Sequence, residues 1–267
     1  MSSHPFPRVM PTATAGAQLR QLRRQAGLSQ LDLALISGMS QRHLSCIETG
    51  RAQPSAGALH NLLMALETPL EQGNGVFLAA GYAPRYEATP LTSPAMAVVR
   101  GAIEHLLQAN NPAPAIVLDS QWDVVGANAS AAILFDLVGL PVSAMQGLNL
   151  LATLLQAGGL GDHLINAAEI RAVAWQRAAR EALSNPALAS LLESLPTPDC
   201  LALSDTELPP LLLTQVRSRQ GTLSFLSTFT TFGMPQDITL MSLRIEHLIP
   251  ADVHTWQVMT AAYQQSV

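Results

Sequence analysis

The sequence predicts two domains of different class: an all-α N-terminal helix-turn-helix bundle, followed by a larger α+β domain. Three observations predict it. Apolar residues up to about Gly81 recur at helical spacing in short stretches, each opened by a capping residue and closed by glycine or proline. Three strand-like stretches follow a mainly helical middle and lie close to the C-terminal end. The chain has 267 residues, long for a single core. The boundaries expected are 12–81 for the bundle, 82–94 for a Pro-rich linker and 95–267 for the second domain.

In the bundle, Leu19 and Leu22 share one face of a helix over 16–26, which Gly27 stops. Ser29 caps a short helix over 30–37, and Gly38 ends it. Ser40 caps a third over 41–49, closed by Gly50. Ser55 opens a fourth to about Leu66, and Pro69 takes the first position of a fifth. Two short helices separated by Gly38-Met39-Ser40 have helix-turn-helix spacing. Leu44 and Ile47 then face the core with Leu33 and Ala34, leaving Gln41, Arg42, Ser45 and Cys46 outward.

In the second domain, helix is expected over 95–109, short strands over 115–118 and 122–126, and helix over 128–138. Helix with breaks at Gly158-Gly159 and Pro186 fills 148–195. Strands over 211–217, 222–232 and 238–248 come next, and a helix over 251–264 closes the chain. The strand over 222–232 carries apolar residues at both alternations, so both of its faces should be covered.

Composition narrows the class. With 48% hydrophobic and 12% charged residues the chain is too apolar for disorder. No apolar run reaches membrane-spanning length, and residues 1–11 lack the apolar core of a signal peptide, so a cytoplasmic, nucleoid-associated protein without membrane insertion is expected. Cys46 and Cys200 fall in different predicted domains, which argues against a disulfide, and neither CxxC nor HExxH occurs; no metal and no cofactor is expected. The net charge of −5 conceals an asymmetry: residues 1–66 hold six arginines against two acids, the rest eight against seventeen. A basic head on an acidic body is what a nucleic-acid-binding module joined to a second domain should show.

The bundle resembles the phage-repressor (Cro/CI-type, XRE) helix-turn-helix family. The resemblance is carried by Leu28-Ser29-Gln30, Ala34, Gly38, Ser40, the Leu44-x-x-Ile47-Glu48-x-Gly50 end of the third helix, and Pro54-Ser55. It implies double-stranded DNA as partner. Gln30, at a helix start, would anchor the DNA backbone. Gln41 and Arg42 would meet base edges in the major groove, with Ser45 and Cys46 in second rank. His43 would touch phosphate or base, or simply be a surface histidine, and Arg51 would take a phosphate. Arg23 and Glu48 would form a structural pair that sets the recognition helix's angle. Leu31 and Leu35, apolar where that family carries charge, would form an exposed stripe. It would dock on the second domain or another subunit, or merely make a greasier bundle.

The remainder resembles the MmyB-like ligand-binding domain. The residues concerned are Gly81-Tyr82-Ala83-Pro84-Arg85-Tyr86, Asn111-Pro112-Ala113-Pro114-Ala115, Trp122-Asp123-Val124-Val125-Gly126-Ala127-Asn128, Ser224-Phe225-Leu226-Ser227-Thr228 and Leu243-Arg244-Ile245-Glu246. This resemblance implies a PAS-like sensor domain with an apolar, fatty-acid-like ligand. Trp122, Val124, Phe135, Phe225 and Phe229 would line its cavity, or equally fill a core. Asn128 is a helix N-cap before it is a ligand contact. His105 and His163 stand alone, and no GxSxG, P-loop or GxGxxG occurs, so an enzyme is not expected. The expected protein is a homodimeric DNA-binding regulator sensing a small apolar molecule; the alternative makes the C-terminal half a protein-interaction or dimerisation module.

Overall fold

The computed structural model describes residues 14–145, 147–198, 211–233 and 235–266. Arg8, Cys200 and the expected domain start at residue 12 lie outside the described residues. The chain divides into two compact units: residues to Glu87 together with Gln236–Ile238, and Ala88–Pro235 together with the rest.

The first unit is built of helices. α1 (Ala15–Gln25), α2 (Gln30–Ile36), α3 (Gln41–Glu48), α4 (Ala56–Ala65) and α5 (Leu70–Ala79) follow the sequence expectation within a residue or so at each end. The caps explain the boundaries. Ser29 and Asp32 exchange hydrogen bonds in a capping box, and the Ser40 and Ser55 hydroxyls accept from the His43 and Ala58 backbones. Gly38 takes φ +72° at the turn, and the Met39 N–H closes α2 by donating to the Ala34 carbonyl at 2.9 Å. Leu19, Leu33, Leu44, Leu59 and Leu62 are fully buried in one core. Pro69 sits at the N-cap of α5, one residue before the first-turn position expected of it.

Where a linker is expected from Tyr82, the chain stays with the first unit to Glu87. Tyr86 is buried with its ring edge-on to Phe77, and its hydroxyl bonds His60 Nδ1 at 2.8 Å. Asn74 straps the segment down, accepting from the Arg85 and Tyr86 backbones and donating to the Tyr86 carbonyl. Two tyrosines among the prolines are the physical reason: an aromatic ring that reaches a core with its hydroxyl satisfied is held there.

The second unit is built on a five-stranded antiparallel sheet of order β2-β1-β5-β4-β3. The strands are β1 (Ala115–Leu118), β2 (Val124–Ala127), β3 (Thr214–Ser218), β4 (Gly221–Thr231) and β5 (Arg244–Pro250). One face, with Ala115, Val117 and Ile245, packs on Ile103 and Leu107 of α6 (Ala97–Asn110). The other, with Leu118, Val216, Leu223 and Phe225, packs into the larger core. That core is filled from α7 (Ala129–Val138), α8 (Leu150–Leu155), α9 (Ala167–Ala182), α10 (Pro186–Ser194) and α12 (Val253–Ser266). Both faces of β4 are covered from its third to its fifth residue, where Leu223, Ser224 and Phe225 are all buried.

One strand expectation is corrected. The stretch 238–248 is not a single strand: a short helix α11 (Ile238–Ser242) precedes β5. Arg244 is the last rung on both sides, opposite Leu118 of β1 and Thr231 of β4. Residues before it have no ladder partner, so their backbone groups are satisfied within a helical turn instead.

Candidate nucleic-acid interface and sensor cavity

The helix-turn-helix surface is set by what α3 buries. Leu44 and Ile47 sink into the core at 0% and 1% exposure, which turns Gln41, Arg42 and His43 to solvent. Ser45 and Cys46 are half-buried. Arg51 is exposed just past Gly50, and its Nε donates to Thr49 Oγ1 at 3.0 Å, while that hydroxyl donates to the Ser45 carbonyl. Leu31, Leu35 and Ile36 of α2 are exposed.

Arg23 and Glu48 make the expected pair, in a two-pronged geometry. Arg23 Nε and Nη2 donate to the two Glu48 oxygens at 2.6 and 2.9 Å, and Nη1 to the Leu28 carbonyl at 2.8 Å. Burial works against the Glu48 charge, but hydrogen bonds from Arg23 and Gln30 and the nearby guanidinium charge outweigh it, holding the carboxyl below its ordinary pKa. Gln30 also makes a bond inside the bundle that was not expected of it, giving Nε2 to Glu48 at 2.8 Å. It ties the start of α2 to the end of α3. Sequence reasoning missed Gly16. A Cβ there would lie 2.2 Å from the Ile47 carbonyl oxygen, so α1 and α3 meet backbone to backbone. A glycine beside the first apolar position of α1 was the available signal.

In the second unit a cavity of about 90 Å³ lies between the sheet and α7, α8 and α9, walled by Ile116, Leu134, Phe135, Leu150, Leu164 and Glu246 among others. Of the residues expected to line it, Phe135 does. Phe225 is fully buried in the core, and Val124 packs half-buried against it. Asn128 is spent on structure: Oδ1 accepts from Ala115 and Ala131, and Nδ2 donates to Leu107 and Ala113. Trp122 and Phe229 belong to a different group of side chains. Trp122 is buried at φ +68°, its Nε1 donating to Glu181 Oε2 at 2.8 Å, with Arg244 stacked over its ring. Phe229 lies beneath Arg177.

Glu246 was the unrecognised polar group of this cavity. It is half-buried, it lines the cavity, and Ser227 Oγ donates to it at 2.6 Å. Burial pushes its carboxyl pKa up, against Ser227 and the two nearby arginines. The signal was present in the sequence: Arg244 and Glu246 alternate with Ile245 and His247 along a strand whose two faces are both covered. Among the described residues no cluster of three or more His, Cys, Asp or Glu could hold a metal ion, and no helix is long and apolar enough to cross a membrane.

Residues 14–72 match the model of a helix-turn-helix domain. An uncharacterized HTH-type transcriptional regulator, y4dJ, of Sinorhizobium fredii (strain NBRC 101917 / NGR234) is 41% identical over 51 residues; the match spans 19% of this chain and 66%, just under two thirds, of that relative. Among solved structures, the restriction-modification controller protein C.AhdI from Aeromonas hydrophila is 32% identical over 24% of this chain and 91% of its own, with a TM-score of 0.22. An RNA-binding light-oxygen-voltage receptor is 14% identical over 96% of this chain and 64% of its own, with a TM-score of 0.28. Scores this low carry no argument about arrangement. The second unit decides the matter, because residues 99–261, more than half the chain, match the MmyB-like transcription regulator ligand binding domain. The chain therefore belongs to the family of transcription regulators with an MmyB-like ligand binding domain.

Proposed function

We propose that this protein is a sequence-specific DNA-binding regulator that works as a homodimer, and that its second unit senses a small apolar molecule. The observation that carries the DNA half is the orientation of α3. Its first three residues, Gln41, Arg42 and His43, are all exposed, while its axis is fixed from behind by Arg23, Glu48 and Gln30. Glutamine and arginine at the start of a recognition helix suit adenine and guanine edges in the major groove. Arg51 and His43 serve the phosphates, and Ser45 and Cys46 lie one turn further along the same face. One such helix reads few bases, so two copies on a two-fold site supply the specificity. Ligand in the second unit then shifts the balance between two dimer arrangements.

The test is Gln41→Ala with Arg42→Ala in the full chain, measured by gel shift on genomic fragments that the native protein retains. Each side chain that hydrogen-bonds a base edge is worth about 1–3 kcal/mol, so affinity should fall roughly thirtyfold or more, with an unchanged melting temperature because both side chains are exposed. Sequence-specific binding retained by the folded double variant overturns the assignment. A second reading, an interaction module with no ligand, is favoured by the cavity volume of about 90 Å³, below the roughly 150 Å³ that holds benzene. Native mass spectrometry of protein purified from cells separates the two: bound small-molecule mass supports the sensor, and bare protein supports the module.

A further inference from the structure

The strand β4 runs on past the end of its neighbour β3. β3 begins at Thr214, which faces Phe225, whereas β4 continues to Thr231 with β5 alone beside it. Along an antiparallel strand the backbone groups of successive residues turn to opposite sides. The Ser224 N–H donates to Thr255 Oγ1 at 3.0 Å and its carbonyl accepts from the Ala251 N–H at 2.8 Å, so both groups of Ser224 point away from β3. From there the β4–β5 register runs to Thr231 without a shift. Ser227, Phe229 and Thr231 therefore turn their N–H and C=O groups to the open side. Among the described residues none of these groups has a hydrogen-bond partner.

Open strand edges in folded proteins are guarded by a charge, a proline, a bulge or a covering segment. Other margins of this sheet follow that rule. Along the outer side of β3 the Ile165 N–H donates to the Gln215 carbonyl at 2.8 Å, and the Asn166 amide holds the Leu213 carbonyl and the Gln215 N–H. At the start of β2 the Val124 N–H donates to Leu148, and the Leu150 N–H to Trp122. The tail of β4 has no such guard. Leu226 to Thr231 contains neither a charged residue nor a proline, and its register shows no bulge. Thr228, Phe229 and Thr231 are exposed, Phe229 at 42%.

We propose that this tail is a contact between two copies of the chain, in which Leu226–Thr231 pairs antiparallel with the same residues of a second copy. The proposal rests on the homodimer reading above and names its contact. The segment suits its own copy. With the two-fold axis at Phe229, that residue faces itself, and Ser227 faces Thr231 of the second copy. Each facing pair exchanges both of its hydrogen bonds, because these are the residues whose backbone groups point outward. The exposed Phe229 rings then cover each other, serine and threonine hydroxyls lie side by side, and no charge meets its like. An edge that pairs with itself uses the same patch on both sides, so association closes at two. A strand pair this short buries well below the roughly 1,200 Å² of a standard interface, so the dimer is weak and reversible.

The experiment follows self-association of the full chain by sedimentation up to about 100 μM, the range of weak interfaces, beside hydrogen exchange resolved to single amides. The native chain should form a reversible dimer. Phe229→Pro removes an N–H that the ladder to β5 does not use, and the loss is felt on both sides of the two-fold. Association should weaken about tenfold or more. The Ser227, Phe229 and Thr231 amides should exchange about tenfold slower or more in the dimer than in the diluted monomer. If the proline variant fails to fold, Phe229→Lys keeps every backbone bond and sets like charges face to face, with the same expected loss. If both fail, the native exchange pattern still decides. A dimer that the folded variants leave intact overturns the β4 contact and leaves the homodimer reading standing. A native chain that stays monomeric overturns both. Amides equally protected at every dilution overturn the contact, because the chain then covers its own edge.

Discussion

Glu48 ties together more of the helix-turn-helix unit than its single position on α3 would suggest. It is 5% exposed, yet it holds its charge because Arg23 closes on both oxygens and Gln30 adds a third donor. Removing one partner of such a pair strands the other. Water lies one layer away in so small a bundle, so the expected loss for Glu48→Gln is about 2–3 kcal/mol, somewhat below the roughly 3–5 kcal/mol of fully buried pairs. The pH dependence follows from the direction of the shift. A carboxyl whose folded pKa is lowered gives its full stabilisation above the ordinary glutamate value near 4.3, and loses it as pH falls through the lowered value. Thermal melts followed by circular dichroism should show the native head losing stability below about pH 4, with Glu48→Gln already lower at pH 7 and flatter through that acid range. Arg23 and Glu48 were legible as a pair from the motif. The Gln30 link was not, because it depends on how closely the start of α2 approaches the end of α3.

Helix packing decides what substitutions the elements tolerate. Gly16 of α1 faces the Ile47 carbonyl so closely that a methyl group there would force α3 away. Gly16→Ala is expected to cost about 1–3 kcal/mol despite alanine's better helix propensity, and to weaken DNA binding because α3 is the element displaced. Gly101 of α6 provides the contrast: nothing lies within 4 Å of the Cβ it would gain. Gly101→Ala should therefore stabilise its unit by about 0.5–1 kcal/mol. Equal losses at both positions in denaturant melts would remove the packing argument. The same distinction separates α11 from β5. A run from Ile238 to Leu248 reads as one strand, but where the ladder starts depends on where β1 and β4 end.

Across the full chain, the division into units falls later than the last helix of the bundle. Tyr82 donates its hydroxyl to the Pro54 carbonyl at 3.0 Å, and Tyr86 is buried against Phe77 with its hydroxyl on His60. A fragment of residues 14–87 should keep both rings, and one of residues 14–81 loses them. Burial of one large side chain is worth about 1.5–3 kcal/mol, so the shorter fragment should melt at least about 5 °C lower by calorimetry. Equal melting temperatures would show that the segment after Gly81 adds nothing to the bundle. Family membership, by contrast, rests mainly on the second unit, where the match covers residues 99–261.

Local structure was readable from residue type. Ser29, Ser40, Ser55 and Asn128 mark helix starts, Gly38 permits the reversal between two short helices, and apolar spacing turns Leu44 and Ile47 inward, which leaves Gln41 and Arg42 outside. These are effects between near neighbours along the chain, and residue type is enough to express them. Long-range packing was needed to show that Phe135 walls the cavity while Trp122 and Phe229 hold arginines, and that Asn128 ties four backbone groups together. It also brought Arg244 on β5 beside Glu181 on α9, sixty-three residues earlier in the chain. Their separation in space depends on sheet register and helix packing, which single-residue preferences do not encode.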